Sequence, residues 1–158
     1  YGPIDGDSAS STELYVILSS QADLPIRQGI AVTGSVNQKG EIQAIGGVNQ
    51  KIEGYFDVCQ KKGLTGSQGV IIPKANLVNL MLKREVVEAV RAGRFFIYQV
   101  AHVTEGIHIL TGVTTGTADE TGAYPAESVY GRIQSKLKSF RERARELKPA
   151  GRALSDNE

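Results

Sequence analysis

Two short stretches carry residue types that could do covalent chemistry. Asp5-Gly6-Asp7-Ser8-Ala9-Ser10 sets hydroxyls and carboxylates just ahead of a segment with helical apolar spacing. At such a junction the first backbone N–H groups of the helix are free, and free N–H groups can stabilise a developing oxyanion. The plainer reading of the same residues is helix capping, since Ser10 with Glu13 satisfies the S-x-x-E capping box, and spacing alone favours the cap. The second stretch, Gly46-Gly47-Val48-Asn49-Gln50-Lys51, sets a lysine in the first turn of a helix after a glycine break. A cation is disfavoured at that end of the helix dipole. The plainer reading there is a solvated lysine beside Glu53. A lysine can act as a base only when its amine is neutral. At the ordinary lysine pKa, roughly one amine in a few thousand is neutral at pH 7.

Other candidates are weaker. His102, Glu105 and His108 spell H-x-x-E-x-x-H, but each step of three residues drifts about 60° around a helix, so the three side chains fan out instead of converging on a metal. No G-x-x-x-x-G-K-[ST] occurs, so Gly46-Gly47 is not a phosphate-binding loop and the chain does not hydrolyse ATP by that route. Cys59 falls on an apolar stripe and reads as core. Lys61-Lys62 and Lys83-Arg84 read as solvated helix faces.

The elements that must position these residues follow from periodicity. Ser8 to Ser20 reads as a helix on Leu14, Ile17 and Leu18. Ile30 to Thr33 and Glu41 to Ile45 flank Asn37-Gln38-Lys39-Gly40, which predicts a β-hairpin. Ile52, Tyr55, Phe56 and Cys59 form a helical stripe ending at Gly63. Val70 to Pro73 reads as a buried strand, after which Asn76 caps a helix through Leu77, Leu80, Met81 and Val87 to Gly93. Phe95 to Ala101 is a further strand and Val103 to Leu110 a short helix. The order predicts an α/β or α+β layered fold over residues 1–112. A Thr, Gly and Pro-rich linker over 113–127 follows, then a basic amphipathic helix over 128–148 and a frayed tail over 149–158. On that last helix Val129, Ile133, Leu137, Phe140, Ala144 and Leu147 make the apolar stripe.

Composition narrows the class. With 158 residues, 41% hydrophobic and 22% charged, the sequence suits one compact soluble unit. Eighteen basic against 17 acidic residues leave +1, too balanced for nucleic acid binding by the whole chain. One cysteine rules out an internal disulfide and a multi-cysteine zinc site, so a cytoplasmic setting is expected. No apolar run approaches the ~20 residues that span a bilayer. The chain opens on Tyr1-Gly2-Pro3-Ile4 without an initiator methionine, as a fragment would.

Asp5-Gly6-Asp7-Ser8-Ala9-Ser10, Ala31-Val32-Thr33-Gly34, Gly40-Glu41-Ile42 and Ile45-Gly46-Gly47-Val48-Asn49-Gln50-Lys51 occur in that order, and with them the chain resembles the proteolytic domain of Lon proteases from Asp5 to about Gly112. The stretch around Gly122-Ala123-Tyr124-Pro125 is similar to the tail of a bacterial subgroup with variant motifs. The resemblance implies an α+β fold of mixed small sheets and packed helices, of which this chain holds the C-terminal part. It implies a serine endopeptidase acting on unfolded or damaged proteins, with Ser8 as nucleophile, Lys51 as general base, Thr33 holding the lysine amine and Asp5 as a supporting acid. Backbone N–H groups of Asp7 and Ser8 are the expected oxyanion donors. Asp7, Ser10 and Ser35 stand where many members have proline, glycine and glutamate. The resemblance further implies a hexameric homo-oligomeric ring and no cofactor bound by this chain, with ATP and Mg acting in an ATPase segment outside it. The absent first half of the proteolytic domain is expected as a separate polypeptide or as a piece lost by cleavage.

For catalysis the Lys51 amine must lie within hydrogen-bond reach of Ser8 Oγ, in a place shielded from water. Burial and the helix N-terminus favour the neutral amine, whereas ionised Asp5 or Asp7 nearby would oppose it. Two other readings stand beside this one. A non-catalytic module could bind RNA, DNA or a neighbouring subunit through its basic helix, which has eight basic and two acidic residues between Arg132 and Arg152. A Ser–Lys amidase or esterase acting on small molecules is the other.

Overall fold

The computed structural model describes residues 6–147. Helix α1 (Ser10–Ala22) is followed by strands β1 (Ile30–Val32), β2 (Ser35–Val36) and β3 (Ile42–Gln43), then helix α2 (Val48–Lys62) and strand β4 (Gly69–Pro73). A 3₁₀ helix (Lys74–Asn79), α3 (Arg84–Arg91), β5 (Phe96–Val100), α4 (Val103–Thr111) and α5 (Val129–Glu146) complete the order. The fold is mixed α and β, with two small sheets and packed helices.

The main sheet is parallel, in the order β1-β4-β5, with Ile30 opposite Gly69 and Gly69 opposite Phe96. All five residues of β4 are buried, as expected of a central parallel strand covered on both faces. Its side chains alternate. Ile71 joins a core with Tyr15, Ile107, Leu110 and Val129 from α1, α4 and α5, while Val70 and Ile72 join one with Ile52, Phe56, Val86 and Phe95 from the side of α2 and α3. Burying such side chains contributes roughly 1.5–3 kcal/mol apiece. Phe56 and Phe95 meet edge to face with centroids 5.2 Å apart.

Three sequence expectations are corrected. The hairpin exists, but its strands are β2 and β3, with Ser35 opposite Gln43. Ile30 to Val32 instead pairs in parallel with β4 at the edge of the main sheet, with Ile30 buried and Ala31 and Val32 half-buried. The single helix expected from Asn76 to Gly93 is broken into the 3₁₀ turn and α3. Asn76 is no cap: it is 3% exposed, and its amide accepts from Ile45 N at 2.9 Å and donates to Ile45 O at 3.0 Å. That exchange satisfies a buried backbone stretch just ahead of the glycines that start α2. The Ser10–Glu13 capping box is also absent, since the N-cap of α1 is Ala9 and Ser10 Oγ accepts from Val36 N at 3.0 Å.

Residues 113–127 contain no helix or strand, and the carbonyls of Thr114 and Thr115 accept from Val129 N and Tyr130 N, tying this stretch to the start of α5. Ser128 caps α5 by accepting from Gly131 N at 3.0 Å. Val129 is buried in the core, whereas Leu137 and Phe140 are about half exposed, so only the first turns of the basic helix pack on the domain. The expected tail over 149–158 lies outside the described residues.

Tyr15 on α1 packs against Gly106 of α4, where a Cβ would land on the phenol oxygen. Among the described residues that hydroxyl has no hydrogen-bond partner, and burial, followed by the charge of Glu105, holds its proton well above the ordinary tyrosine range. In the unfolded chain the phenol ionises near pH ~10. Above that pH the unfolded state therefore binds fewer protons, and stability falls. Tyr15→Phe should stabilise the fold at pH 7 by about 1 kcal/mol or leave it unchanged, because it removes a buried hydroxyl with no partner. It should also flatten the alkaline loss seen in thermal unfolding at pH 7 and above 10. Part of the loss stays with Tyr55, whose pKa is pushed up to about 12 by burial and its contact with Cys59.

Candidate active site

Lys51 is set by α2. Gly47 at the N-cap adopts φ 66°, a left-handed conformation natural to glycine, and Lys51 N closes the first turn onto Gly47 O at 3.1 Å. Asn49 anchors the same turn by donating to Asn79 O and accepting from Met81 N, each at 2.9 Å. The lysine side chain then reaches back to the loop ahead of α1. Its amine lies 2.9 Å from Ser8 Oγ and 3.3 Å from Thr33 Oγ1.

Thr33 is 7% exposed and extends β1 by donating its backbone N–H to Ile71 O at 3.0 Å. From there its hydroxyl donates to Ser8 O at 3.3 Å. Gly34 N donates to the same carbonyl at 2.9 Å, and Ser11 N to Gly34 O at 3.2 Å. On the far side Ser35 Oγ donates to Asp7 Oδ2 at 2.7 Å. The loop carrying Ser8 is thus fastened to residues 33–36 at successive points.

The structure therefore brings Ser8, Thr33 and Lys51 together. Asp5 lies outside the described residues. Among the described residues the N–H groups of Asp7 and Ser8 have no acceptor. Glu53, expected beside Lys51, turns instead to Lys83, accepting from its backbone N at 2.9 Å and facing its amine at 3.7 Å. Among the described residues Lys51 forms no ion pair. The described residues do not supply the expected shielding from water: Ser8 is half-buried and Lys51 exposed.

Gly34 and Ser35, named in the sequence as the motif glycine and a departure beside Thr33, meet the loop of Ser8 through Ser8 O and Asp7. Thr33-Gly34-Ser35 follows the β1 run directly, but nothing in its local pattern signals that the stretch is stitched to residues 7–11. The other candidates are placed elsewhere. His102 caps α4 through its ring, Glu105 accepts from Ala101 N at 2.8 Å, and Cys59 is buried in the core. Among the described residues no group of three His, Cys, Asp or Glu could hold a metal ion, and no helix is long and apolar enough to cross a membrane.

The site thus sets a lysine amine against a serine hydroxyl, with a threonine hydroxyl beside both. Comparison with known proteins identifies the family. Residues 2–111 match the family described as "Lon protease (S16) C-terminal proteolytic domain". A "Putative Lon protease homolog" of Haemophilus influenzae is 44% identical over 150 residues, covering 89% of this chain and 25% of the relative. Another of the same description from Escherichia coli is 52% identical over 110 residues, covering 70% of this chain and 19% of the relative. An "Archaeal Lon protease" of Halobacterium salinarum is 35% identical over 108 residues, covering 68% and 14%. The chain spans a quarter or less of the length of these relatives. Fold, site geometry and sequence similarity agree, and the chain belongs to the Lon protease proteolytic-domain family.

Proposed function

We propose that this chain carries the active site of an ATP-fed serine endopeptidase that cleaves unfolded or damaged polypeptides, with Ser8 as nucleophile and Lys51 as general base. The observation that carries the reading is the 2.9 Å contact between Lys51 Nζ and Ser8 Oγ. In the neutral amine one N–H donates to Thr33 Oγ1, which turns the nitrogen lone pair toward the serine proton. Lys51 takes that proton as Ser8 Oγ attacks the scissile carbonyl, and the N–H groups of Asp7 and Ser8 receive the oxyanion. The protonated amine then gives its proton to the leaving nitrogen, freeing the first product and leaving an acyl-enzyme. Lys51, neutral again, deprotonates the water that hydrolyses the ester. A polypeptide seated over the loop covers the exposed lysine and displaces water, which favours the neutral amine.

The same reading places the domain in a cytoplasmic homo-oligomeric ring, a hexamer, and assigns ATP and Mg to a segment outside this chain. No residue here is given a part in nucleotide chemistry. The test is casein degradation by the full-length protein with ATP and Mg, together with intact-mass detection of a peptidyl-boronate adduct on Ser8. Wild type should do both and Ser8→Ala neither. Cleavage undiminished in Ser8→Ala would remove the assignment.

One observation favours a second reading. Beyond its first turns α5 leaves Leu137 and Phe140 half exposed among basic residues, a surface suited to nucleic acid or a neighbouring subunit. Salt-sensitive oligonucleotide binding without any serine adduct would favour it.

A further inference from the structure

The carboxylate nearest the nucleophile in sequence, Asp7, is held in an unexpected way. Its side chain is exposed, yet Oδ2 accepts a 2.7 Å hydrogen bond from Ser35, a residue only 3% exposed. Ser35 is fixed on β2 by its pairing with Gln43 of β3, and the Gln43 side-chain amide lies 3.3 Å from the same hydroxyl. A hydroxyl has one proton, and the shorter contact, to Asp7 at 2.7 Å, takes it in preference to Gln43 Oε1 at 3.3 Å. The hairpin thus reaches, through the Ser35 hydroxyl, a carboxylate one residue from Ser8. Thr33, two residues before Ser35, holds the Lys51 amine.

A carboxylate is a much stronger partner for an amine than a serine hydroxyl is. Released from Ser35, Asp7 would compete with Ser8 for the Lys51 amine. Yet Lys51 contacts Ser8 and Thr33, and among the described residues it has no acidic partner. We propose that Ser35 is a positioning residue, which ties the Asp7 carboxylate to the β2–β3 hairpin so that Lys51 stays on Ser8. The inference rests on the base role proposed for Lys51, and it goes beyond that role by naming what protects the base.

The test compares Ser35→Ala, Asp7→Asn and the double variant in the full-length protein, reading the rate of peptidyl-boronate capture at Ser8. Ser35→Ala should slow capture about tenfold, and adding Asp7→Asn should return the rate to within about threefold of Asp7→Asn alone, since an amide cannot form the ion pair. Loss of a merely structural hydrogen bond would not be repaired by neutralising Asp7. Ser35→Ala at the wild-type rate, or a double variant as slow as Ser35→Ala, would overturn the proposal. A crystal structure of Ser35→Ala decides it independently of activity. Asp7 within about 4 Å of Lys51 Nζ is expected, the distance of an ion pair, and Lys51 unmoved with Asp7 unpaired would overturn it. If wild type forms no adduct, the serine-nucleophile reading fails, while that structure still decides where Ser35 holds Asp7.

Discussion

Replacing Lys51 by alanine should slow covalent capture of Ser8 by about 10³-fold, within the range by which a positioned general base accelerates proton transfer. The size of the loss follows from the geometry. Ser8 Oγ meets the amine at 2.9 Å, and no histidine stands among its hydrogen-bond partners to take over the proton. Lys51→Arg sharpens the test. Arginine keeps a long cationic side chain but does not deprotonate at working pH. If the lysine served only as a positive charge, arginine would retain most of the rate. If it serves as a base, Lys51→Arg should be as slow as Lys51→Ala. Both variants leave a residue that is exposed in the first turn of α2, so unfolding temperatures should stay close to wild type. The check is capture kinetics beside thermal unfolding on the same preparations.

The second large effect is expected at Thr33. Thr33→Val keeps the shape of a buried β-branched residue and removes only the hydroxyl that touches both Lys51 and Ser8 O. Ser8 O keeps its bond from Gly34 N at 2.9 Å, so the loop remains fastened. What is lost, on the proposed mechanism, is the acceptor that turns the lysine lone pair toward the serine. A hydrogen bond between neutral groups contributes about 0.5–1.5 kcal/mol. That corresponds to roughly 2–10-fold in the capture rate. Thr33→Ser, which restores the hydroxyl, should recover most of it. Equal rates for wild type and Thr33→Val would show that Lys51 is oriented by other contacts.

Much of this arrangement can be read from the chain, because several elements carry a local signature. Ile52, Phe56 and Cys59 recur at helical spacing and are buried on one face of α2, and Gly63 follows its last turn. The β4 run stops at Pro73 as expected. Where reading fails, the partner is distant in sequence. Ile30 to Val32 has the composition of a hairpin strand and of a parallel strand alike, and only Gly69 to Ile71, nearly forty residues on, decides between them. Asn76 has the character of a cap, but its partner is the backbone of Ile45. Ser10 has the character of a capping-box serine, but Val36 takes its oxygen. The same limit applies at the site. Ser8, Lys51 and Thr33 could be proposed from motifs held in common with a family, whereas the Ser35 to Asp7 bond joins residues that no local pattern relates.

Lys51 follows Ser8 by 43 positions, and Thr33 keeps its place only because β1 is zipped to β4, a strand made later than either. A growing polypeptide emerging from the ribosome therefore exposes its serine long before the amine can meet it. Until the sheet closes, the hydroxyl is as inert as any other. On the proposed reading, closure of the sheet is the step that joins the nucleophile to its base.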